Sequence, residues 1–254
     1  MSDHGVINVL IVGESWISAA THYKGWDQFS STTYESGVEP LRAALSAAGI
    51  GIVWMPSHEA ARDFPDHVDG LAQYDAIVLS DIGANTLLLH PDTWLRGQTR
   101  PNRLTVIRDW VSAGGGLAMA GGYLSFQGIN ASARYRGTPV EEVLPVRISP
   151  WDDRMEIPEG AFASIDRPDH PIVAGIDGPW PPLLGMNELE PTPDAEVIAS
   201  WAGRPLLAVR HAGRGRTLAW ASDIGPHWCP ESFVQWPGYA RLWSQAIEWL
   251  CGRR

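Results

Sequence analysis

Cysteine and lysine are the scarcest chemically useful residues of this 254-residue chain. Its two cysteines, Cys229 and Cys251, lie in no Cys-x-x-Cys pair and in no histidine-containing zinc spacing, which argues against a disulfide framework and a structural zinc site. Lysine occurs once, at Lys24, and 29 acidic residues outnumber 19 basic ones to give a net charge of −10. Because a negative surface repels phosphate backbones, we expect no nucleic-acid partner.

Long apolar runs are missing as well. No segment approaches the ~20 apolar residues that a membrane-spanning helix needs, and no basic segment typical of a signal peptide precedes the first apolar run. The sequence therefore predicts a cytoplasmic protein without membrane association. No motif indicates a cofactor, and the question of a bound metal stays open.

Strand-like and helix-like segments alternate over the first 150 residues. Apolar runs typical of strands buried on both faces occupy 6–12, 50–55, 74–80 and 116–122. Segments 39–49 and 102–116 have helical spacing and end at glycine. This order predicts an α/β doubly wound, mostly parallel sheet with helices on both faces.

The remainder of the chain has a different pattern. A Thr138-Pro139-Val140-Glu141 capping box predicts a short helix, residues 204–222 an antiparallel hairpin, and residues 239–252 a terminal helix packed on the sheet. The Pro-rich segment 177–196 is predicted to be a surface loop, and residues 1–254 to form one domain. Trp228, Trp236 and Trp243 are candidates for subunit contacts in a homo-oligomer, or for the core.

The tetrapeptide Ser-Asp-Ile-Gly occurs twice, at Ser80–Gly83 and Ser222–Gly225, each time after an apolar run. Because ligands bind beyond the carboxyl ends of parallel strands, we expect Asp81 and Asp223 to face one crevice. Two close carboxylates can act as acid and base or hold a divalent cation, and His227 is a candidate base. Either aspartate alone could instead cap a helix or close a turn.

Other candidates also follow the predicted strands. Tyr123 is a possible proton donor or an aromatic plug, and a long polar loop over 18–37, which contains His22 and Lys24, could form a lid. The remaining candidate ligand contacts are Glu14, Trp16, Asn85, Gly121, Gly122, Ser125, Gln127 and Arg134.

Several segments, at 114–128, 134–146, 169–176 and 212–228, together with the Trp-rich terminal helix, resemble the class I glutamine amidotransferase-like superfamily. More narrowly, they resemble the "putative glutamine amidotransferase" proteins related to the ThuA-like branch. The resemblance covers nearly the whole chain and implies a flavodoxin-like fold. It also implies a nucleophilic cysteine on the elbow after segment 116–120, where this chain has Gly121 and Gly122.

The missing cysteine implies that the protein is not a thiolate-dependent glutaminase. The glycine pair instead offers backbone N–H groups to a ligand. Two hypotheses follow. The protein acts on a small polar metabolite, sugar-like or amide-containing, through Asp81, Asp223, His227 and Tyr123. Alternatively, it is a non-catalytic ligand-binding or assembly protein on a degenerate amidotransferase fold.

Overall fold

The structure is a computed structural model that describes residues 5–254. Fourteen strands are found in this range: β1 (Asn8–Gly13), β2 (Ser15–Lys24), β3 (Asp27–Ser36), β4 (Gly51–Met55), β5 (Ala76–Ser80), β6 (Gly116–Ala120), β7 (Val146–Ile148), β8 (Arg154–Ala161), β9 (Ser164–Ile165), β10 (Leu183–Asn187), β11 (Leu189–Pro191), β12 (Glu196–Trp201), β13 (Arg204–Ala212) and β14 (Gly215–Trp220). The same residues contain eight α-helices: α1 (Glu39–Ala47), α2 (Ser57–Asp63), α3 (Ala84–Leu88), α4 (Pro91–Arg96), α5 (Arg103–Ser112), α6 (Pro139–Val143), α7 (Glu231–Val234) and α8 (Pro237–Leu250).

Eight strands form the central sheet, in the order β4-β1-β5-β6-β14-β13-β12-β9. The first five are parallel, and β13, β12 and β9 extend the sheet with antiparallel pairs. Side chains of β5 and β6 are buried throughout, because both faces of the sheet are covered. Helix α1 packs on α8, whereas α5 packs on α3 and α6. The predicted flavodoxin-like α/β fold and the hairpin β13–β14 are confirmed.

The strand order reverses beside β1, whose two neighbours are β4 and β5. Register aligns the last residues of four adjacent strands: Gly13 pairs with Ser80, Ser80 with Ala120, and Ala120 with Trp220. The segments that leave these strands therefore start at one level of one sheet edge. An edge of this kind, at a reversal of strand order, is where open α/β sheets bind ligands.

Two segments predicted as loops are strands. Within the Pro-rich segment 177–196, β10 pairs with β8 and β11 with β7; Leu183, Met186 and Leu189 are buried there. The predicted lid over 18–37 is the greater part of the ribbon β2–β3, which turns at Gly25 with φ +67°. Proline content misled the prediction in the first segment, where the strands are short, and polarity misled it in the second, where the strands have few apolar residues. Both features weaken the periodic signal of a strand.

The helix α6 is present as predicted, but its capping box is not formed. Thr138 donates its hydroxyl to Tyr135 O, at 2.6 Å, and makes no cap hydrogen bond. The carboxylate of Glu141 accepts instead from the amides of Gly137 and Ile148, at 2.6 and 2.7 Å. Glu141 therefore ties the helix start to β7 rather than closing the helix on itself.

The three tryptophans that were candidates for either subunit contacts or the core belong to the core. Trp228 and Trp243 are buried, and Trp236 packs, partly buried, against the core. Exposed tryptophans lie elsewhere, at Trp26 and Trp94 among others. None of the helices within residues 5–254 has the length and apolar character needed to cross a membrane.

Candidate functional site

A cavity of about 330 Å³ lies at the sheet edge where the four strands end. Its lining combines carboxylates, an imidazole and aromatic rings: Glu14, Trp16, Gly37, Asp81, Tyr123, Asp223, Gly225, Pro226 and His227. Six of these nine residues are candidates from the sequence, and they include both aspartates of the repeated tetrapeptide. The structure thus brings segments 142 positions apart to one cavity.

Asp81 directly follows β5 in a left-handed conformation, with φ +44°. Its backbone N–H donates to Ser125 Oγ at 3.1 Å, and its Oδ1 accepts from the Leu124 amide at 2.7 Å. Burial raises the pKa of the Asp81 carboxyl, and the neighbouring charge of Asp223 adds to that rise. Asp81 is therefore held in place by the elbow segment and favours its protonated form more than a solvated aspartate does.

Asp223 forms a pair with His227. The His227 Nδ1 lies 3.3 Å from Asp223 Oδ2, which also accepts from the Trp228 amide at 2.9 Å. The hydrogen bond to Asp223 is the main cause of the raised pKa of His227. The imidazole contacts Tyr123 edge to face, with ring centroids 4.6 Å apart. Together these contacts orient a half-exposed imidazole at the cavity.

The elbow after β6 is occupied by the two aspartates rather than by a nucleophile. A Cβ placed on Gly122, where φ is +134°, would lie 2.7 Å from Asp223 Oδ1 and 3.0 Å from Asp81 Oδ1. The two carboxylates thus flank a single point. The expectation that the glycine amides are free for a ligand is wrong: Gly121 N donates to Trp220 O, and Gly122 N to Asn187 Oδ1.

Glu14, directly after β1, is the most buried acid of the cavity, at 5% exposure. It has φ +51°, and its Oε1 accepts from the Ser80 hydroxyl at 2.5 Å. Burial, with the charge of Asp81 as the next cause, raises the pKa of Glu14 to about 8. Left-handed residues other than glycine are uncommon and concentrate at functional sites, and here two acids of one cavity adopt this conformation.

Several predicted contacts lie outside the cavity lining. Asn85 is exposed on α3 because the chain turns into that helix directly after Gly83. Arg134 is exposed beyond the elbow segment. Gln127 is buried beneath the site, where its backbone N–H donates to Asp153 Oδ2 at 2.9 Å. The Ser125 hydroxyl accepts a hydrogen bond from the Asp81 backbone N–H.

Sequence reasoning missed the buried pair Asn187 and Asp153. Asn187 bonds both the N–H and the C=O of Gly122 and donates to Asp153 at 2.8 Å. Asp153 also accepts from the amides of Gln127 and Gly128. This pair clamps the elbow segment from 25 to 65 positions away. No local sequence signal marks Asn187, because it is one of two adjacent polar residues between Met186 and Leu189.

A family model described as "Putative glutamine amidotransferase" matches residues 8–252. The chain belongs to this family. It is 42% identical to the cytoplasmic protein STM3548 from Salmonella typhimurium, with a TM-score of 0.92 over 95% of this chain and 98% of that one. It is 41% identical to the cytoplasmic protein STM1381 from Salmonella typhimurium LT2, with a TM-score of 0.92, 96% of this chain and 99% of that one.

More distant solved structures share the fold of this amidotransferase-family protein. A ThuA-like protein from Parabacteroides merdae is 12% identical, with a TM-score of 0.56 over 97% of this chain and 90% of that one. No curated protein sequence matches this chain.

Neither cysteine of this family member can replace the missing elbow thiol. Cys229 is fully buried, and burial together with the charges of Asp223 and Glu14 raises its thiol pKa far above the usual range. Burial raises the pKa of Cys251, after α8, to about 12. Among residues 5–254 no group of three His, Cys, Asp or Glu side chains is arranged to hold a metal ion.

Proposed function

We propose that this protein catalyses proton transfer on a small polar metabolite, sugar-like or amide-containing, in the cavity at the strand ends. The observation that carries the proposal is the position of Asp81 and Asp223 on either side of Gly122. In this arrangement paired carboxylates occupy the place where the family resemblance implies a thiol. Two carboxyl groups in different surroundings can divide the roles of acid and base.

The surroundings suggest which group takes which role. Asp81, whose pKa is raised by burial, is the proposed general acid. His227, oriented by Asp223 through Nδ1, keeps Nε2 for taking a proton from substrate or water. The hydroxyl of Tyr123 donates to Glu156 at 3.1 Å. We therefore assign Tyr123 to holding the imidazole rather than to donating a proton.

The test is turnover of a defined panel of sugars, primary amides and amines, followed by mass spectrometry. Asp81→Asn and Asp223→Asn should each lower turnover by about 10²–10⁴-fold, the usual contribution of general acid–base catalysis. Their melting temperatures should stay close to that of the wild type, as should that of the exposed control Asp194→Asn, which keeps activity. If both site variants unfold instead, the aspartates serve as structural caps and the proposal fails.

The cellular location of this chain can be proposed from its two Salmonella relatives. Because the two Salmonella proteins are described as cytoplasmic, we propose the cytoplasm for this chain too. A tagged chain recovered in the membrane or secreted fraction would contradict this.

A second candidate function is assembly, and the ribbon β2–β3 favours it. Its ten residue pairs run from Ser15–Ser36 to Lys24–Asp27, and nearly all of its side chains are exposed. A two-stranded ribbon exposed on both faces is marginally stable in water. We therefore propose that a second copy of the chain covers the ribbon in a homo-oligomer.

The tip of the ribbon carries charges that suit a two-fold contact. Lys24 and Asp27 lie opposite each other, so a two-fold axis at the tip would bring each lysine to the partner's Asp27. Trp26 between them is fully exposed. Trp26→Ser should lower the mass measured by sedimentation, whereas Trp151→Ser, at another exposed tryptophan, should not. A wild-type monomer would refute the assembly proposal.

A further inference from the structure

The cavity lining carries acids without balancing bases. Glu14, Asp81 and Asp223 contribute three carboxyl groups, His227 is the one basic side chain, and no lysine or arginine belongs to the lining. Within the described residues no ion pair joins Glu14 or Asp81 to a cation. A phosphate or carboxylate ligand would meet three acids against a single imidazole here, and like charges at close range are costly in a buried site.

An independent observation comes from Glu14 Oε2. This oxygen lies next to Gly37 on the cavity wall: a Cβ at Gly37 would be 2.6 Å from it. Glu14 is more than nine-tenths buried, yet its single side-chain hydrogen bond uses Oε1. No described residue donates to Oε2. Oε2 is therefore an acceptor at the cavity that no group of the described residues occupies, and it is available to a donor on a ligand.

We propose that the cavity binds a primary ammonium group of its ligand between Glu14, Asp81 and Asp223. The inference rests on the proposed function for the location of the site and adds the chemical class of the ligand. Three N–H donors of an ammonium group match carboxylate acceptors that converge from three strand ends. The same positive charge favours the ionised form of Glu14, whose pKa is about 8 without a counter-charge, so we expect binding of the ammonium group to release the Glu14 proton.

The aromatic lining is consistent with an organic amine. Trp16, half-exposed at the base of the ribbon, and Tyr123 line the same cavity as the acids. Aromatic faces attract organic cations and pack against carbon chains. A neutral polyol would satisfy the oxygen acceptors without balancing their charge, and a divalent cation would need a ligand set that the described residues do not arrange.

The experiment compares probes that differ only in the charged group. Ethanolamine is paired with ethylene glycol, and putrescine with butanediol; succinate and magnesium chloride serve as the anion and metal probes. Binding to the full-length protein is measured by calorimetry and thermal shift at neutral pH. Each amine should bind about tenfold or more tightly than its alcohol, and succinate should not bind.

Variants of the cavity acids test whether these side chains cause the preference for amines over alcohols. Asp81→Asn and Glu14→Gln should each reduce amine binding about tenfold and leave alcohol binding unchanged, whereas Asp194→Asn should change neither. Alcohols that bind as tightly as amines, tighter binding of succinate or magnesium, or no response to any amine would each overturn the inference. Turnover of neutral sugars that depends on Asp81 would uphold the proposed function while this inference fails. Amine binding without any turnover would uphold this inference while the proposed function fails.

Discussion

The two Ser-Asp-Ile-Gly turns share most of their anchors. In both, the serine is buried and donates its hydroxyl, from Ser80 to Glu14 Oε1 and from Ser222 to the carbonyl of Gly185. In both, the isoleucine is buried and its carbonyl accepts from a tyrosine hydroxyl: Tyr135 for Ile82 at 2.7 Å, Tyr239 for Ile224 at 2.5 Å. The shared residues thus repeat a local structure that presents one aspartate to the cavity.

The turns differ in what surrounds that aspartate. Asp81 follows its strand immediately and accepts a backbone amide from the elbow segment. Asp223 stands three residues beyond its strand and carries the imidazole of His227. The serines differ as well, because only Ser80 donates to another acid. One tetrapeptide therefore supplies two carboxylates whose hydrogen-bond partners differ, because those partners come from outside the tetrapeptide.

Replacing Glu14, which accepts a hydrogen bond from Ser80 of the first turn, should have the largest effect on stability. Glu14 ionises near pH 4.5 when unfolded and near pH 8 when folded. Between these values only the folded state keeps the proton, so the free energy of unfolding falls as pH rises, by up to roughly 5 kcal/mol for this group. Glu14→Gln, neutral at every pH, should therefore lose less stability than the wild type as pH rises from 4.5 to 8.

Urea unfolding of both proteins at several pH values measures this difference. The exposed Glu159→Gln is the matched control, and its curve should stay parallel to that of the wild type. If the Glu14→Gln curve is also parallel to that of the wild type, burial does not hold the proton on Glu14. The two turns would then not differ electrostatically through their serine contacts.

The convergence of the two turns could be predicted from sequence because each follows an apolar strand, and parallel strands end at one edge. The clamp on the elbow could not. Asn187 and Asp153 act through hydrogen bonds to residues 65 and 25 positions away, and nothing local distinguishes them from surface polar residues. The ribbon was missed for another reason: its middle consists of small residues, most of them serine, threonine or alanine, which leave no apolar face to recognise.

Removing the shared anchors should have a smaller and symmetrical effect. Tyr135→Phe and Tyr239→Phe each leave a buried isoleucine carbonyl without its donor, which costs about 1–3 kcal/mol. Both hydroxyls should matter about equally, and Tyr74→Phe, whose hydroxyl makes no hydrogen bond within the described residues, should cost much less. Denaturant midpoints of the three variants test this. A loss at only one anchored tyrosine would show that the two turns are stabilised differently.

The smallest expected effect is on the pKa of His227, which Asp81 and Asp223 influence to different extents. His227 draws its raised pKa chiefly from the hydrogen bond to Asp223, and among the neighbouring acids the charge of Asp81 contributes least to the rise. Asp223→Asn should therefore lower the His227 pKa clearly, whereas Asp81→Asn should lower it only slightly. Titration of the His227 ring by NMR reads out each shift, with Asp194→Asn as the control that leaves it unchanged. Equal shifts in the two site variants would mean that the imidazole is shared between the carboxylates. The assignment of acid and base would then belong to all three groups as a unit, because strongly interacting groups titrate together rather than one by one.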